Sequence, residues 1–73
     1  MVLVAYKVGK CRLRTIRRRL GWTQVELADK VHKTKQTIHR WETDETIMSY
    51  ENALNVAKVT GVSMEDLYKI IKE

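Results

Sequence analysis

The chain has no proline and no phenylalanine, and only three glycines and one cysteine among its 73 residues. The single cysteine, Cys11, cannot form an intramolecular disulfide, so packing alone must hold a domain of this size together. The apolar run at residues 1–6 is far shorter than the roughly 18 residues that a membrane span requires. These absences argue against a disulfide-stapled module and a membrane-spanning protein, and they are typical of one small domain in the reducing cytoplasm.

Catalytic and metal-binding patterns are also missing. Cys11, His32 and His39 are possible zinc ligands, but their spacing matches no metal site. The sequence has no paired-carboxylate pattern, no nucleophile with a matching base and no glycine-rich phosphate loop. We therefore expect no catalytic residue, no metal ion, no cofactor and no small-molecule substrate, and we expect that the protein is not an enzyme.

Positive charge is concentrated in the first part of the chain. The net charge is +5, from 14 Lys and Arg against 9 Asp and Glu. Residues 1–41 hold 11 basic and 2 acidic residues, a balance of +9, whereas residues 42–73 hold 3 and 7, a balance of −4. A basic surface confined to one half of a small protein is the pattern expected for a polyanionic partner.

The spacing of apolar residues predicts an all-α domain over residues 10–73. Thr23 and Glu26 match the T-x-x-E capping box at the start of a helix, and Ser63 and Asp66 match a second one. We expect five helices, which begin near residues 10, 23, 34, 49 and 63. The fifth would dock through Leu67 and one of two isoleucines, Ile70 or Ile71.

Residues 1–9 form an N-terminal arm of a different character. Val2, Val4, Tyr6 and Val8 alternate with other residues, which favours a strand. Because a lone strand is not stable in water, the arm must find a partner. It could cover the core, extend the first helix, lie on the fifth helix or pair with a second copy. We expect an apolar arm that covers the core.

The most informative segment is residues 23–42, TQVELADKVHKTKQTIHRWE, which reads as two short amphipathic helices joined by a tight turn. In the second of these, Ile38 and Trp41 face inward. The layout is that of a helix-turn-helix, in which one helix braces and the next enters the DNA major groove. The side chains on the outward and flanking positions of that helix are Lys35, Gln36, His39 and Arg40.

Residues 13–67 resemble the Xre-type helix-turn-helix domain of Cro and the lambdoid phage repressors. The resemblance is carried by IRRRLGWTQVELADKV, TKQTIHRWE and AKVTGVSMEDL, and its most specific part is T-Q-x-x-L-A. GKCRL and MEDLY also look like a group of very short bacterial and prophage regulators. The resemblance implies a compact five-helix lambda-repressor-like domain. It further implies a sequence-specific transcriptional regulator, most often a repressor, that binds a double-stranded DNA operator as a homodimer.

The resemblance also assigns roles to individual residues. Gln can pair with adenine and Arg or Lys with guanine, so the assigned side chains suit base edges. The base-reading positions are Lys35, Gln36, Arg40 and, as the weaker candidate, His39. The phosphate-binding positions are Gln24, Thr34, Thr37, Arg14 and Arg18. Arg17 and Glu42 match a structural ion pair that links two helices.

The sequence departs from the family pattern at the turn after the second helix, in the loop of residues 43–48, and at Thr60, where a leucine is common. His32 replaces a glycine at the turn after the second helix, where a positive φ is needed, and histidine tolerates that conformation at some cost. Asp44, which can also take the left-handed conformation, and Glu45 replace glycine and basic residues and would repel phosphate.

The alternative function is a protein-binding helix-turn-helix adaptor or an antitoxin component. The polar outward face of the third helix favours DNA.

Overall fold

The computed structural model describes residues 5–72, so the first four residues of the arm lie outside the described part. Within residues 5–72, four helices and two antiparallel strands make up the fold, in place of the predicted five helices. No helix within residues 5–72 combines the length and the apolar character needed to cross a membrane. In chain order the elements are β1 (Tyr6–Cys11), α1 (Leu13–Arg19), α2 (Gln24–Lys30), α3 (Lys35–Glu42), α4 (Tyr50–Thr60), a 3₁₀ turn (Met64–Asp66) and β2 (Tyr68–Lys72).

Hydroxyl side chains fix the starts of three helices. Thr23 Oγ1 accepts the N–H of Glu26 at 3.1 Å, and Glu26 Oε1 accepts the N–H of Thr23 at 3.0 Å, so the predicted capping box is confirmed. Thr34 and Ser49 each accept the backbone N–H three residues later, at the starts of α3 and α4. Each cap satisfies a donor that has no partner inside the helix, which defines where the helix begins.

The two turns that flank α3 use left-handed residues. His32 has φ of 56° and Asp44 has φ of 62°, as their replacement of family glycines predicted. The Asp44 carboxylate accepts the backbone N–H of Cys11 at 2.9 Å. The turn after α3 is therefore tied to the end of β1.

The core takes one fully buried side chain from each of the four helices and one from Leu67, which lies between the 3₁₀ turn and β2. Trp41 is also buried, which confirms its predicted place in the core. Because α2 and α3 each contribute an aliphatic anchor to the same cluster, their outward faces are fixed relative to each other. The largest fully buried side chains are Leu13, Leu27, Ile38, Val56 and Leu67.

The predicted fifth helix is wrong. Ser63 makes no side-chain capping bond, and the helical geometry ends after the 3₁₀ turn. The chain then becomes extended, because Ile70 and Ile71 are β-branched and β1 offers a strand to pair with. Tyr68 fixes this change of direction, since its buried hydroxyl accepts the N–H of Met48 at 2.9 Å.

The expectation that the arm covers the core is wrong for its described residues, because Tyr6 and Val8 are exposed and lie in a strand that pairs within the chain. β1 and β2 are antiparallel, with Val8 opposite Ile70 and Cys11 opposite Tyr68, and the register shifts between Val8 and Cys11. β1 therefore runs across the predicted boundary between residues 9 and 10. It also delays the start of α1 to Leu13. We call β1 and β2 together the ribbon.

Gly9 allows the two strands of the ribbon to approach closely. A Cβ atom at this position would lie 2.9 Å from Ile71 Cδ1 and 3.0 Å from the carbonyl oxygen of Lys69. We expect Gly9→Ala to loosen the ribbon and to cost about 1–3 kcal/mol, as overpacking does. Amide hydrogen exchange in the two strands and urea unfolding measure the effect. Lys10→Ala, at the exposed neighbour, is the control, and unchanged exchange in Gly9→Ala would contradict the prediction.

Candidate nucleic-acid interface

α3 presents one polar face to solvent. Its buried positions, Ile38 and Trp41, pack into the core, which forces the intervening side chains outward. Amide, guanidinium and ammonium groups at such positions can bond base edges in a major groove. The four predicted base-reading residues, all of them exposed, are Lys35, Gln36, His39 and Arg40.

An open groove runs from this face to α1 and the start of α2, and we call it the cationic groove. Its lining contains arginine and lysine but no carboxylate residue. It unites three predicted phosphate ligands with two predicted base-reading residues. A groove of this charge suits a phosphate backbone beside the inserted helix. The residues that line it are Arg14, Arg17, Arg18, Gly21, Trp22, Thr23, Gln24, Val25, Lys35 and His39.

A buried ion pair lies beneath this groove. Arg17 donates two hydrogen bonds to Glu42, from Nε to Oε2 at 2.7 Å and from Nη2 to Oε1 at 3.0 Å. Its third donor reaches the carbonyl oxygen of Trp22 at 2.8 Å. Such a two-pronged contact is geometrically specific, so α1 and α3 are locked together where the groove begins.

Glu42 also holds two of the predicted phosphate ligands. Gln24 Nε2 donates to Glu42 Oε1 at 3.2 Å, and Arg14 Nε approaches the same oxygen at 3.4 Å. The Glu42 side chain is fully buried, whereas that of Arg14 is 46% exposed. A buried carboxylate therefore holds both Gln24 and Arg14, while the Arg14 side chain still reaches solvent. Sequence periodicity did not anticipate this three-helix network.

Gln24 also approaches α3. Its Nε2 atom lies 3.5 Å from His39 Nδ1, at the limit of a hydrogen bond. The amide nitrogen carries two hydrogens, and only the one directed at Glu42 is in a short contact. The other remains available to a second acceptor in the groove.

The charges of the buried pair persist at neutral pH. Burial by itself raises the pKa of Glu42, but the hydrogen bonds from Arg17 and Gln24 outweigh it and leave this pKa below its ordinary value of 4.5. The hydrogen bond to Glu42 raises the pKa of Arg17 above its ordinary value. Because the negative charge of Glu42 is balanced by the positive charge of Arg17, the carboxylate does not repel phosphate at the groove.

Thr34 and Thr37 lie at the start of α3. Their hydroxyl oxygens are 3.0 Å apart, and Thr34 Oγ1 also accepts the N–H of Thr37. Thr34 is thus the helix cap, and it remains exposed beside Lys35. One hydroxyl hydrogen of the pair is free to point to a phosphate.

The acidic turn after α3 is largely occupied by internal contacts. Asp44 accepts from Cys11, as described above, and Glu45 Oε2 lies 3.9 Å from Arg40 Nε. The Arg40 and Glu45 side chains are both about half exposed, so their ion pair is weak and can open. Arg40 therefore has a competing carboxylate nearby but remains able to reach a base.

Comparison with known proteins places the chain among helix-turn-helix proteins of solved structure. The helix-turn-helix family model matches residues 13–67. The P22 c2 repressor, solved with a synthetic operator, has a TM-score of 0.75 and 33% identity over 80% of this chain and 88% of its own. SinR, a master regulator for biofilm formation solved with DNA, has a TM-score of 0.71 and 26% identity over 77% of this chain and 90% of its own. A hypothetical transcription factor, NHTF from Neisseria, has a TM-score of 0.71 and 25% identity over 77% of this chain and 64% of its own. No curated protein sequence matches the chain significantly.

Proposed function

Because this chain belongs to the Xre-type helix-turn-helix family, we propose that it is a DNA-binding transcriptional regulator that acts as a repressor. The observation that carries the proposal is the exposed polar face of α3, which continues into a groove lined by cations and by no carboxylate residue. A helix with this face fits the major groove, and the adjacent cations fit the phosphates on either side.

Two sets of residues have different roles in this function. On α3, Lys35, Gln36 and Arg40 read base edges, and His39 supports them from the flank. A protein-binding surface would be more apolar at its centre than this face is. The residues that grip phosphates are Gln24, Thr34, Thr37, Arg14 and Arg18.

We further propose that two copies bind one operator in the cytoplasm. One domain of 73 residues makes few DNA contacts, and two linked domains bind far more tightly than one because the second contact is intramolecular. A two-fold protein predicts an operator with inverted half-sites about one helical turn apart. The P22 c2 repressor was solved with a synthetic operator, which supports an operator as the ligand class.

Selection from random duplex DNA at physiological salt tests this function. We expect an inverted repeat whose half-sites lie about 10–11 base pairs apart. Recovery of no motif, with weak binding that disappears as salt rises, would show nonspecific phosphate attraction instead. An adaptor or antitoxin role would then be favoured, and a partner pull-down would follow.

A further inference from the structure

The turn after α3 holds Glu45 beside Arg40 through the backbone. Asp44, in the left-handed conformation, donates its N–H to the carbonyl oxygen of Trp41 at 3.2 Å. Glu45 donates its N–H to the carbonyl oxygen of Arg40 at 3.0 Å. These two bonds define a Schellman motif, which brings the residue after the left-handed one next to the third residue from the helix end. An apolar contact frequently joins the two side chains in such a motif, and here an ion pair takes its place.

Glu45 differs from the other two carboxylates at the end of α3. Glu42 is fully buried, and Asp44 accepts from the backbone N–H of Cys11. The Glu45 side chain is 63% exposed, and its ionic partner at 3.9 Å is Arg40. Because the backbone already holds the two residues side by side, only side-chain bonds must be ordered when the pair closes. Glu45 therefore lies beside a side chain that reads bases in the proposed function.

The ion pair leaves the outer end of Arg40 open. The nitrogen of Arg40 closest to Glu45 is Nε, and the two terminal Nη nitrogens make no hydrogen bond within residues 5–72. A guanidinium is planar and carries its N–H donors in a fixed fork. A carboxylate on the Nε side therefore also sets the direction of the two terminal nitrogens. Two donors that point the same way match the O6 and N7 acceptors of guanine.

We propose that Glu45 is a positioning residue that raises the selectivity of the protein for guanine at the base pair that Arg40 reads. Water leaves this surface when DNA covers it, and the attraction between the two charges grows as the local dielectric constant falls. The pair that is weak in the free protein therefore holds Arg40 in place when the base contact forms. The inference rests on the proposed function, because it requires that Arg40 reads a base.

The same carboxylate disfavours DNA that lacks this guanine. Without a guanine at that position, Arg40 would turn to a phosphate, and the phosphate would then lie close to Glu45. Because like charges repel, such a nonspecific contact is weaker when Glu45 is present. Selectivity depends on the difference between two affinities. Glu45 supports the guanine contact and opposes the phosphate contact, so both effects increase that difference.

Parallel selections from random duplex DNA with the wild type, Arg40→Ala and Glu45→Gln test the inference. The base pair that Arg40 reads is the one whose preference Arg40→Ala loses. We expect Glu45→Gln to lose preference at the same base pair by on the order of two- to fivefold, the size that an exposed ion pair supplies, and to keep its preferences elsewhere. Competition binding between single-base-pair variants of the recovered sequence measures this fold-change. In the Arg40→Ala background, Glu45→Gln should change no base preference.

Glu65→Gln is the matched control for net charge. It removes the same charge from an exposed position in the 3₁₀ turn, which packs against α4 and β2. This variant should keep every base preference. Glu45→Gln alone should also bind a duplex of scrambled sequence more tightly than the wild type, with a salt dependence steeper by at most about one ion. Its fold should be unchanged, because its backbone N–H still donates to Arg40, and thermal unfolding checks this.

Two results would overturn the inference and leave the proposed function intact. One is a Glu45→Gln protein that ranks the variants of the recovered sequence as the wild type does, even if it binds all of them more tightly. The other is a loss of preference that is equally large in the Arg40→Ala background, since Glu45 would then not act through Arg40. If the wild type itself recovers no motif, the proposed function fails and the inference fails with it.

Discussion

Replacing Arg17 by alanine should lower the free energy of unfolding by about 3–5 kcal/mol, because a buried carboxylate loses its main partner. Glu42 is fully buried, and Arg17 supplies its two shortest hydrogen bonds. A domain of this length has a free energy of unfolding of roughly 4–11 kcal/mol, so a loss of this size would remove a large part of it. Urea unfolding followed by tryptophan fluorescence measures the change.

Two companion variants identify the cause of that loss. Arg18→Ala removes an exposed arginine from the same helix and should change stability by less than about 0.5 kcal/mol. The double replacement Arg17→Met with Glu42→Leu removes both charges and should recover most of the stability, because an apolar pair of similar volume leaves no charge unpaired. If the double variant were as unstable as Arg17→Ala, lost packing would explain the effect and the ion-pair interpretation would be wrong.

The free energy of unfolding should depend on pH differently in the wild type and in Arg17→Ala. In the wild type, folding lowers the pKa of Glu42. Its contribution to stability is therefore complete above the ordinary pKa of 4.5 and is lost as pH falls through the folded pKa. In Arg17→Ala, burial would dominate and raise the pKa of Glu42, so acidification would neutralise the unpaired carboxylate. The stability gap between wild type and variant should therefore narrow as pH falls from 7 toward the acid range, which unfolding at several pH values can measure.

The helices were predictable because their signals are local. The Thr23 and Glu26 capping box, the turn at His32 and the apolar spacing of α3 each act within a few residues. The ribbon was not predictable in the same way, because its two strands are separated by four helices in the chain. The signal that was available is the β-branched pair Ile70 and Ile71, which favours a strand over a docked helix.

The same distinction applies to the candidate site. Periodicity alone identified the outward face of α3, since burial of Ile38 and Trp41 determines which side chains remain exposed. It could not show that Gln24 and Arg14 share an oxygen of Glu42, because that contact depends on how three helices cross. Their predicted role as phosphate ligands stays a prediction, now with a buried carboxylate that orients both of them.

Replacing Gln36 by alanine should reduce discrimination at particular base pairs by about 1–3 kcal/mol, or roughly 5- to 150-fold, with the fold intact. Gln36 is exposed in the first turn of α3, so its loss creates no cavity. Its amide can both donate to and accept from an adenine, which alanine cannot do. Competition binding against operators that differ at single base pairs measures the loss, because only the contacted positions should change.

Gln24→Ala is the matched control, since it makes the same chemical change at the start of α2. Its loss should weaken all DNA sites about equally, because a phosphate carries no sequence information. Gln24 also donates to Glu42, so that variant should lose roughly 0.5–1.5 kcal/mol of stability, and both proteins must be compared where they are fully folded. If Gln36→Ala ranked operators as the wild type does while Gln24→Ala changed the ranking, sequence reading would belong to the start of α2 and the assigned face of α3 would be wrong.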